Sequence, residues 1–326
     1  MIDKTAVKKI LFITLSNIGD VVLTLPVMGA LRENFRQASI DVIVGPRAKE
    51  IFKDDPRIEK TYIYDKTDPF LKRFGFLSLL KKGKYDLVVD LRNSLFGFFV
   101  GGRFWNKPLL GFRGDAGHKM DAHLRKLSLL GLEAVSKPYP IWISRSDAEI
   151  ALSLLNMAGI RDSDNIVCVA PGAMSHIKRW PEANFAKVCD RLIDELNVKI
   201  LMVGDLEDKE ICDRIADSMK NSAVSIAGKT NLPQLTWCLK RSRLLITNDS
   251  APLHIAGSVL TPSVAIFGPT DYRKYGPRQG LGFAAHKKLH CSPCEAALCK
   301  YNLECMKAIG TGEVFEMAKE ILNEKK

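Results

Sequence analysis

A carboxylate, Asp20, closely follows the first strand-like segment of the chain, Lys9–Leu15. Ligands of α/β folds sit at the carboxyl ends of the strands, so Asp20 could take a proton from an attacking hydroxyl there. The neighbouring Gly19 would let the backbone pass close to a ligand or take a positive φ. The competing interpretation makes Asp20 the N-cap of the following helix. This loop has a single glycine, so it is not a GxGxxG fingerprint and does not indicate dinucleotide binding.

Two cations, Lys178 and Arg179, lie in a second strand-end loop, residues 171–181, which also contains Gly172. A cation at such a position can neutralise a diphosphate leaving group. A solvated basic loop is the alternative, but the location at the end of a strand favours a functional role. Another strand end, Phe267–Asp271, carries turn-forming residues.

The segment Thr247–Gly257 places Asp249, Ser250 and Ala251 where a strand ends and a helix begins. The free N–H groups and the positive end of a helix form a site for anions, although Asp249 or Ser250 could simply cap the helix. His254 lies about one turn further in, where it either faces the ligand or is a satisfied core histidine. Together these strand ends indicate a site for an anionic substrate.

Strand-like and helix-like segments alternate along almost the whole chain and must position these loops. Short apolar runs separated by helical patterns predict parallel βαβ units. The main predicted strands are Lys9–Leu15, Ile40–Val44, Thr61–Tyr64, Asp86–Leu91, Asn165–Ala170, Lys199–Val203, Leu244–Thr247 and Ser263–Phe267. The predicted helices include Val21–Phe35, Ser146–Met157, Glu182–Leu196 and Thr311–Glu324. The pattern breaks at residues 136–140, which predicts two doubly wound α/β domains, residues 1–160 and 161–326, with the ligand between them.

The charge balance of the 326 residues is strongly basic, with 48 Lys and Arg against 37 Asp and Glu and a formal net charge of +11. Such a surplus favours anionic partners: nucleic acid, a membrane surface or phosphorylated substrates. No apolar run is long enough to span a bilayer, and the N-terminus does not resemble a signal peptide, so we expect a cytoplasmic protein. In residues 70–84, apolar residues interleave with cations. This pattern fits either a helix that rests on anionic lipid or a surface helix with a buried apolar face.

The combination of motifs resembles glycosyltransferase family 9, the lipopolysaccharide heptosyltransferases. The matching segments, in the family's order, are Ile18–Asp20 with Leu23–Pro26, Pro171–Ala173, Lys178–Pro181, Ala227–Leu232, Asn248–His254 and Phe267–Thr270. The resemblance implies the GT-B fold, with two facing Rossmann-like domains and a deep cleft between them. It assigns the acceptor to the N-terminal domain and the nucleotide sugar to the C-terminal domain, with the last helix able to pack back on the first domain.

The resemblance also implies an inverting, metal-independent transfer of heptose from ADP-heptose, with no cofactor required. The acceptor would be the Kdo-lipid A or heptosylated inner core of a lipopolysaccharide, met at the inner face of the inner membrane. Asp20 matches the base that activates the acceptor hydroxyl, and Lys178 matches the cation that meets the diphosphate. The other donor-binding positions would be Gly172, Gly204, Asp205, Gly228, Lys229, Thr230, Asp249, Ser250, Ala251 and His254. The acceptor-binding positions would be Gly19, Arg92, Asn93, Ser94, Arg113 and His118, and the forked arginine side chains suit carboxylate and phosphate groups.

The eight cysteines divide into two groups. Cys168, Cys189, Cys212 and Cys238 are scattered through predicted core segments, which is typical of small buried apolar residues. Cys291, Cys294, Cys299 and Cys305 are clustered with a spacing that could hold structural zinc or an iron–sulfur cluster. Reduced thiols are the default, because disulfides are not the stable state in the cytosol.

Four other functions remain open. One is a degenerate family member that binds without transferring sugar, against which the presence of Asp20 and Lys178 argues. A family member could use another nucleotide sugar, and a nucleotide-sugar 2-epimerase could share the fold, although no separate set of acid and base carboxylates is evident beside Asp20. A non-enzymatic binder of nucleic acid or membrane would also explain the positive charge. No recognisable nucleic-acid motif supports that last function, so we expect no nucleic-acid partner.

Overall fold

The structure is a computed structural model that describes residues 2–106, 117–134 and 139–324. It divides into two compact units, residues 1–142 and 143–326, referred to below as the first and second units. Each unit contains one sheet whose neighbouring strands pair in parallel. No helix in the described ranges is long and apolar enough to cross a membrane.

The first unit has a five-stranded sheet in the order β3-β2-β1-β4-β5. Its strands are β1 (Lys9–Ile13), β2 (Ser39–Val44), β3 (Lys60–Ile63), β4 (Leu87–Asp90) and β5 (Phe104–Trp105). Its helices are α1 (Ile18–Val22), α2 (Leu25–Asn34), α3 (Phe70–Lys81), α4 (Phe96–Val100) and α5 (Lys119–Ser128), with a 3₁₀ helix at Pro46–Phe52.

The second unit has a six-stranded sheet in the order β11-β10-β9-β6-β7-β8. Its strands are β6 (Ile166–Ala170), β7 (Lys199–Met202), β8 (Val224–Ser225), β9 (Leu244–Asn248), β10 (Ser263–Phe267) and β11 (Gly282–His286). Its helices are α6 (Arg145–Met157), α7 (Glu182–Leu196), α8 (Lys209–Ser218), α9 (Leu232–Arg241), α10 (Ala251–Ser258), α11 (Tyr272–Tyr275), α12 (Glu304–Lys307) and α13 (Thr311–Glu324), with a 3₁₀ helix at His176–Lys178.

The inner strands read as continuous apolar runs because they are covered on both faces of the sheet. Every residue of β6, β9 and β10 is buried. The buried run of β9 ends in Thr247 and Asn248, which are both fully buried and polar. Buried polar groups need hydrogen-bond partners, so the carboxyl end of β9 must be surrounded by other polar groups.

Helix α6 belongs to the second unit, whereas the boundary predicted at residue 160 placed its residues in the first domain. The helix packs against α9, and Asp147 in its first turn accepts a hydrogen bond from Asn231, the N-cap of α9. The last helix, α13, packs against α7 and strands of the second sheet.

The eight predicted strands are all present, with ends shifted by at most two residues. The predicted helix Val21–Phe35 is instead two helices, α1 and α2. Pro26 lies in the first turn of α2, a position that proline favours because it has no N–H to donate to a preceding turn. The sequence did not predict β5, β8 and β11, because two of them have two residues each and the third begins at a glycine.

Candidate functional site

Asp20 lies in the first turn of α1, beyond the carboxyl end of β1. The N-cap of α1 is Asn17, so the interpretation of Asp20 as a helix cap is wrong. Asn17 Nδ2 donates a hydrogen bond to Asp20 Oδ2 at 3.0 Å, and Asp20 is partly exposed. Gly19 lies within the helix and does not take a positive φ. A partly exposed carboxylate that accepts a hydrogen bond from a neutral amide can take a proton from a substrate hydroxyl.

Arg92, predicted to bind the acceptor, holds the loop that precedes Asp20. Its Nε donates to Thr14 O at 2.5 Å, and its Nη2 donates to Leu15 O at 3.2 Å and Ser16 Oγ at 3.0 Å. Burial lowers the pKa of this guanidinium from its usual value. The side chain therefore connects the end of β4 to the loop after β1.

A buried carboxylate, Asp90, organises the turn after β4. It accepts hydrogen bonds from the backbone N–H groups of Arg92 and Ser94, at 2.8 and 3.0 Å, and from Ser94 Oγ. Burial raises the pKa of Asp90 above its usual range, and these hydrogen bonds oppose that rise. Asn93 accepts a hydrogen bond at 2.8 Å from Lys126 Nζ on α5. The predicted acceptor residues Asn93 and Ser94 thus share one network.

Helix α5 adds basic groups to the first unit that sequence reasoning missed. Burial lowers the pKa of the Lys126 ammonium group, and the negative charge of Asp90 partly opposes that fall. Burial, together with the nearby positive charge of Lys126, lowers the pKa of His123 to about 4. His118 is the N-cap of α5, where its Nδ1 accepts a backbone N–H. Arg113, the other predicted acceptor residue, lies outside the described residues.

In the second unit, Lys178 and Asp249 form one ion pair although the sequence predicted them in separate loops. Lys178 Nζ lies 2.6 Å from Asp249 Oδ2. Asp249 directly follows β9 and its side chain is only 7% exposed, whereas the Lys178 side chain is 32% exposed. The pair therefore places an accessible ammonium group next to the start of α10.

Asn248, which sequence reasoning did not include in the site, joins the end of β9 to two points of the loop after β6. Its Nδ2 donates to Pro171 O at 2.6 Å, and its Oδ1 accepts the backbone N–H of Trp180 at 3.1 Å. The side chain is fully buried. Its position directly before Asp249 was the available signal, because a polar residue at the buried end of an inner strand needs partners.

The start of α10 is available to an anion. Ser250 is the N-cap in extended conformation, and its side chain makes no cap hydrogen bond. Its Oγ lies 3.3 Å from Thr247 Oγ1. Ala251 is the first helical residue, and His254 is partly buried about one turn inside the helix. First-turn amides beside an ammonium group suit a phosphate.

Gly172 and Gly204 both pack against Asp208. A Cβ at Gly172 would lie 1.9 Å from Asp208 Oδ1, and one at Gly204 would lie 2.6 Å from Asp208 Cβ, so neither position has room for a side chain. Burial, with a contribution from Asp205, raises the pKa of Asp208 above its usual range. Asp205 Oδ1 itself accepts the backbone N–H of Asp208 at 3.1 Å. The acidic run after β7 was the signal for Asp208, a residue that sequence reasoning missed.

The predicted nucleotide loop Gly228, Lys229 and Thr230 lies beside the same strand end. Gly228 has a φ of +74°, and its N–H donates to Gly204 O at 3.0 Å. Lys229 is exposed, and its Nζ lies 3.4 Å from Ser225 O. The second unit therefore brings together strand-end residues from β6, β7, β8 and β9.

The clustered cysteines support the loop after β10. Ser292 Oγ donates to Gly268 O at 2.5 Å, and the N–H groups of Cys294 and Glu295 donate to Pro269 O. Cys305 is buried on α12. This part of the chain holds the Gly268–Pro269 turn in place.

The four clustered cysteines do not come together as a set of metal ligands among the described residues. Cys294 is exposed, and Cys299 Sγ accepts N–H groups from Tyr301 and Leu303. Across residues 2–106, 117–134 and 139–324, no three His, Cys, Asp or Glu side chains form a group that could hold a metal ion. The four scattered cysteines are free and buried, as predicted.

Residues 73–304 match the model of the family described as glycosyltransferase family 9 (heptosyltransferase). The chain is 28% identical over 289 residues to lipopolysaccharide heptosyltransferase 3 of Escherichia coli, which covers 79% of this chain and 83% of the relative. A family 9 glycosyl transferase from Veillonella parvula superposes with a TM-score of 0.85 at 23% identity, covering 100% and 99% of the two chains. The ADP-heptose lipopolysaccharide heptosyltransferase II of E. coli gives 0.75 at 19% identity, covering 97% and 99%. The expected GT-B type of α/β fold, with two parallel sheets, is confirmed.

Proposed function

Because this chain belongs to glycosyltransferase family 9 and is a glycosyltransferase, we propose that it transfers heptose from ADP-heptose to the inner core of a lipopolysaccharide. The transfer inverts the anomeric centre and uses neither a metal ion nor a cofactor. The observation that carries the proposal is the Lys178–Asp249 pair, which holds an ammonium group at the start of α10. That combination matches the charge of a diphosphate.

The donor binds at the strand ends of the second unit. Its diphosphate meets the Lys178 ammonium and the N–H groups of Ser250 and Ala251 at the start of α10, since Pro252 has no N–H and the Leu253 N–H donates to Ser250 O. Asp249 keeps the lysine in place before the donor arrives, so little reorganisation is needed at the moment of reaction. The nucleoside lies along Gly172, Gly204, Asp205 and the Gly228–Thr230 loop, with His254 nearby on α10.

The acceptor binds at the strand ends of the first unit, with Asp20 as the base. The acceptor oxygen forms a bond to the anomeric carbon while the bond from that carbon to the phosphate oxygen breaks. The hydroxyl proton passes to Asp20, and the negative charge leaves with ADP. Arg92 uses Nε and Nη2 to hold the loop of Asp20, and its Nη1 is the nitrogen we assign to an acidic group of the acceptor. Gly19, Asn93, Ser94, Arg113 and His118 complete the acceptor side.

The electrostatics of the chain agree with this pair of substrates. A net charge of +11 favours an anionic nucleotide sugar and an acceptor that carries Kdo carboxylates or phosphates. The enzyme works in the cytoplasm, peripherally at the inner face of the inner membrane. The Kdo-lipid A core and the heptosylated core are both candidate acceptors.

A transfer assay tests the proposal. The chain is incubated with ADP-heptose and Kdo-lipid A or a heptosylated core, with EDTA present, and released ADP and acceptor mass are measured. We expect one heptose added per ADP released, with no effect of EDTA. Turnover of a different nucleotide sugar alone would contradict the donor assignment. Epimerisation of a nucleotide sugar in the absence of an acceptor would identify the chain as a 2-epimerase and contradict the proposed transfer.

A further inference from the structure

Helix α3 exposes large apolar side chains on the face opposite the one it packs with. Leu80 is fully buried, and Phe76 and Leu77 pack against the hydrophobic core of the first unit. Leu71 is 83% exposed and stands nine positions before Leu80, which at about 100° per residue puts the two on opposite sides of the helix. Phe74 is 64% exposed, close to Leu71 on the same side.

The neighbouring helix α4 also exposes large apolar side chains. Phe98 and Phe99 are both exposed, and their rings meet edge-on with centroids 5.5 Å apart. Helices α3 and α4 contact each other, and Phe76 of α3 packs its ring against Phe96 of α4. We define the α3–α4 surface by Leu71, Phe74, Leu79, Phe98 and Phe99, all of which are exposed. Exposed apolar groups of this size in adjacent elements indicate a surface that meets a partner.

The charge around this surface identifies the class of partner. Residues 66–84 contain a single acidic residue, Asp68. The six exposed cations of the same stretch are Lys66, Lys72, Arg73, Lys81, Lys82 and Lys84. A second copy of the chain would present the same positive charge and be repelled. Leucine and phenylalanine side chains surrounded by lysines instead suit insertion between anionic headgroups, where cations meet phosphates and apolar groups reach the acyl boundary.

We propose that the α3–α4 surface docks the first unit on an anionic lipid bilayer. This deepens the proposed function and rests on it in one respect: the acceptor of that reaction is a glycolipid held in such a bilayer. Leu71 and Phe74 insert at the headgroup boundary, and the lysines at both ends of α3 contact the lipid phosphates. Docking brings the acceptor side of the enzyme to the surface that carries the acceptor.

Vesicle co-sedimentation tests the docking surface. The full chain is mixed with vesicles of phosphatidylcholine alone or of phosphatidylcholine with phosphatidylglycerol, at low and high salt. We expect binding to the anionic vesicles that weakens as salt rises. Leu71→Asp should weaken it by at least about tenfold, because an inserted apolar side chain is replaced by a charge that the headgroups repel.

Matched variants separate lipid insertion from a general effect of surface charge. Met157→Asp changes an apolar residue of α6 that is 84% exposed, so it alters a similarly exposed residue in the second unit. Lys82→Glu should weaken vesicle binding roughly tenfold, whereas Lys240→Glu on α9 should leave it within about twofold of the parent. Equal binding by Leu71→Asp and Met157→Asp, or no binding of the parent to anionic vesicles, would overturn the proposal.

Transfer to a deacylated, water-soluble acceptor distinguishes failure of docking from failure of the proposed function. Leu71→Asp should transfer heptose to this acceptor at the parent rate and lose activity only on acceptor held in vesicles. Loss of both activities to the same extent would contradict a docking role for Leu71. Absence of transfer by the parent to the soluble acceptor would count against the proposed function and leave the vesicle-binding result to stand alone.

Discussion

The two sets of strand-end residues are organised in different ways. In the second unit, the candidate donor groups are tied to each other: Lys178 pairs with Asp249, and the buried Asn248 binds both ends of the loop that carries Lys178. In the first unit, the candidate base Asp20 accepts a hydrogen bond from one neutral donor among the described residues, Asn17, and stays partly exposed. Under the proposed function, the second unit therefore holds its anion-binding groups in place before the anion binds, whereas the first leaves its base open to a hydroxyl.

The charged residues that hold Asp20 in position act through the loop that precedes it. Arg92 donates hydrogen bonds from Nε and Nη2 to the loop before Asp20. Asp90 and Lys126 hold the turn that carries Arg92. Burial shifts the pKa of all three toward their neutral forms. Charged groups below the surface therefore position a carboxylate that itself remains near solvent.

The largest effect is expected where the donor side loses its cation. Lys178→Ala should lower kcat/KM for ADP-heptose by about 10²–10³-fold, because a preorganised charge at the leaving group is removed. It also leaves Asp249 buried without its partner, so the variant should be less stable. The double variant Lys178→Ala, Asp249→Asn should regain stability but not activity, as measured by urea unfolding and steady-state kinetics. Unchanged donor constants in Lys178→Ala would exclude the proposed contact.

The next effect tests whether Arg92 acts through the base. Arg92→Ala should lower kcat by up to about 10²-fold, because a small displacement of a catalytic group costs that much. The affinity for ADP should not change. Arg145→Ala removes an arginine of an exposed surface pair and should have no effect on kcat. A weaker ADP affinity in Arg92→Ala would contradict a role of Arg92 confined to the acceptor side.

A smaller effect is expected from the buried amide of the second unit. Asn248→Ala removes both hydrogen bonds and leaves Pro171 O and the Trp180 N–H without this partner, which should cost about 2–3 kcal/mol of unfolding free energy. KM for the donor should rise because the Lys178 loop loses its support. Urea unfolding and donor kinetics measure the two consequences. A variant as stable as the parent would mean that the loops hold together without Asn248.

The last effect concerns the first unit and is confined to acid pH. The pKa of His123 is about 4 in the folded chain, against about 6.5 when unfolded. The unfolded chain therefore binds a proton that the folded chain does not, and stability falls as the pH drops from 6.5 toward 4, by at most about 3 kcal/mol. His123→Gln should reduce this fall, whereas His290→Gln, at an exposed position, should not. Urea midpoints at pH 7 and pH 4.5 measure the difference, and identical pH dependence in His123→Gln and the parent would contradict it.

The sequence predicted the second unit better than the first because the inner strands there are continuous apolar runs. Glu182–Leu196, Ser263–Phe267 and Thr311–Glu324 were predicted with the ends that the structure has. Periodicity could not show that Lys178 and Asp249 meet, because their contact depends on β6 and β9 being neighbours in the sheet. Periodicity likewise does not predict hydrogen bonds or ion pairs between residues that lie far apart in the chain.

The first unit contains the residues that sequence reasoning missed most clearly. Lys126 and His123 lie on an amphipathic helix where basic residues are ordinarily taken as solvated. Helix α5 packs against α2, and Lys126 Nζ donates to Leu91 O just after β4, contacts that no local pattern predicts. For Arg92, the sequence correctly marked a strand-end arginine, but only tertiary contacts show that it holds the loop of Asp20.

The most direct test of the central claim is heptose transfer to Kdo-lipid A by the parent and by Asp20→Asn, with EDTA present and with ADP affinity measured in parallel. We expect the parent to transfer heptose and the variant to be slower by about 10²–10⁴-fold with unchanged ADP affinity. Transfer by Asp20→Asn at the parent rate would contradict the assignment of Asp20 as the base.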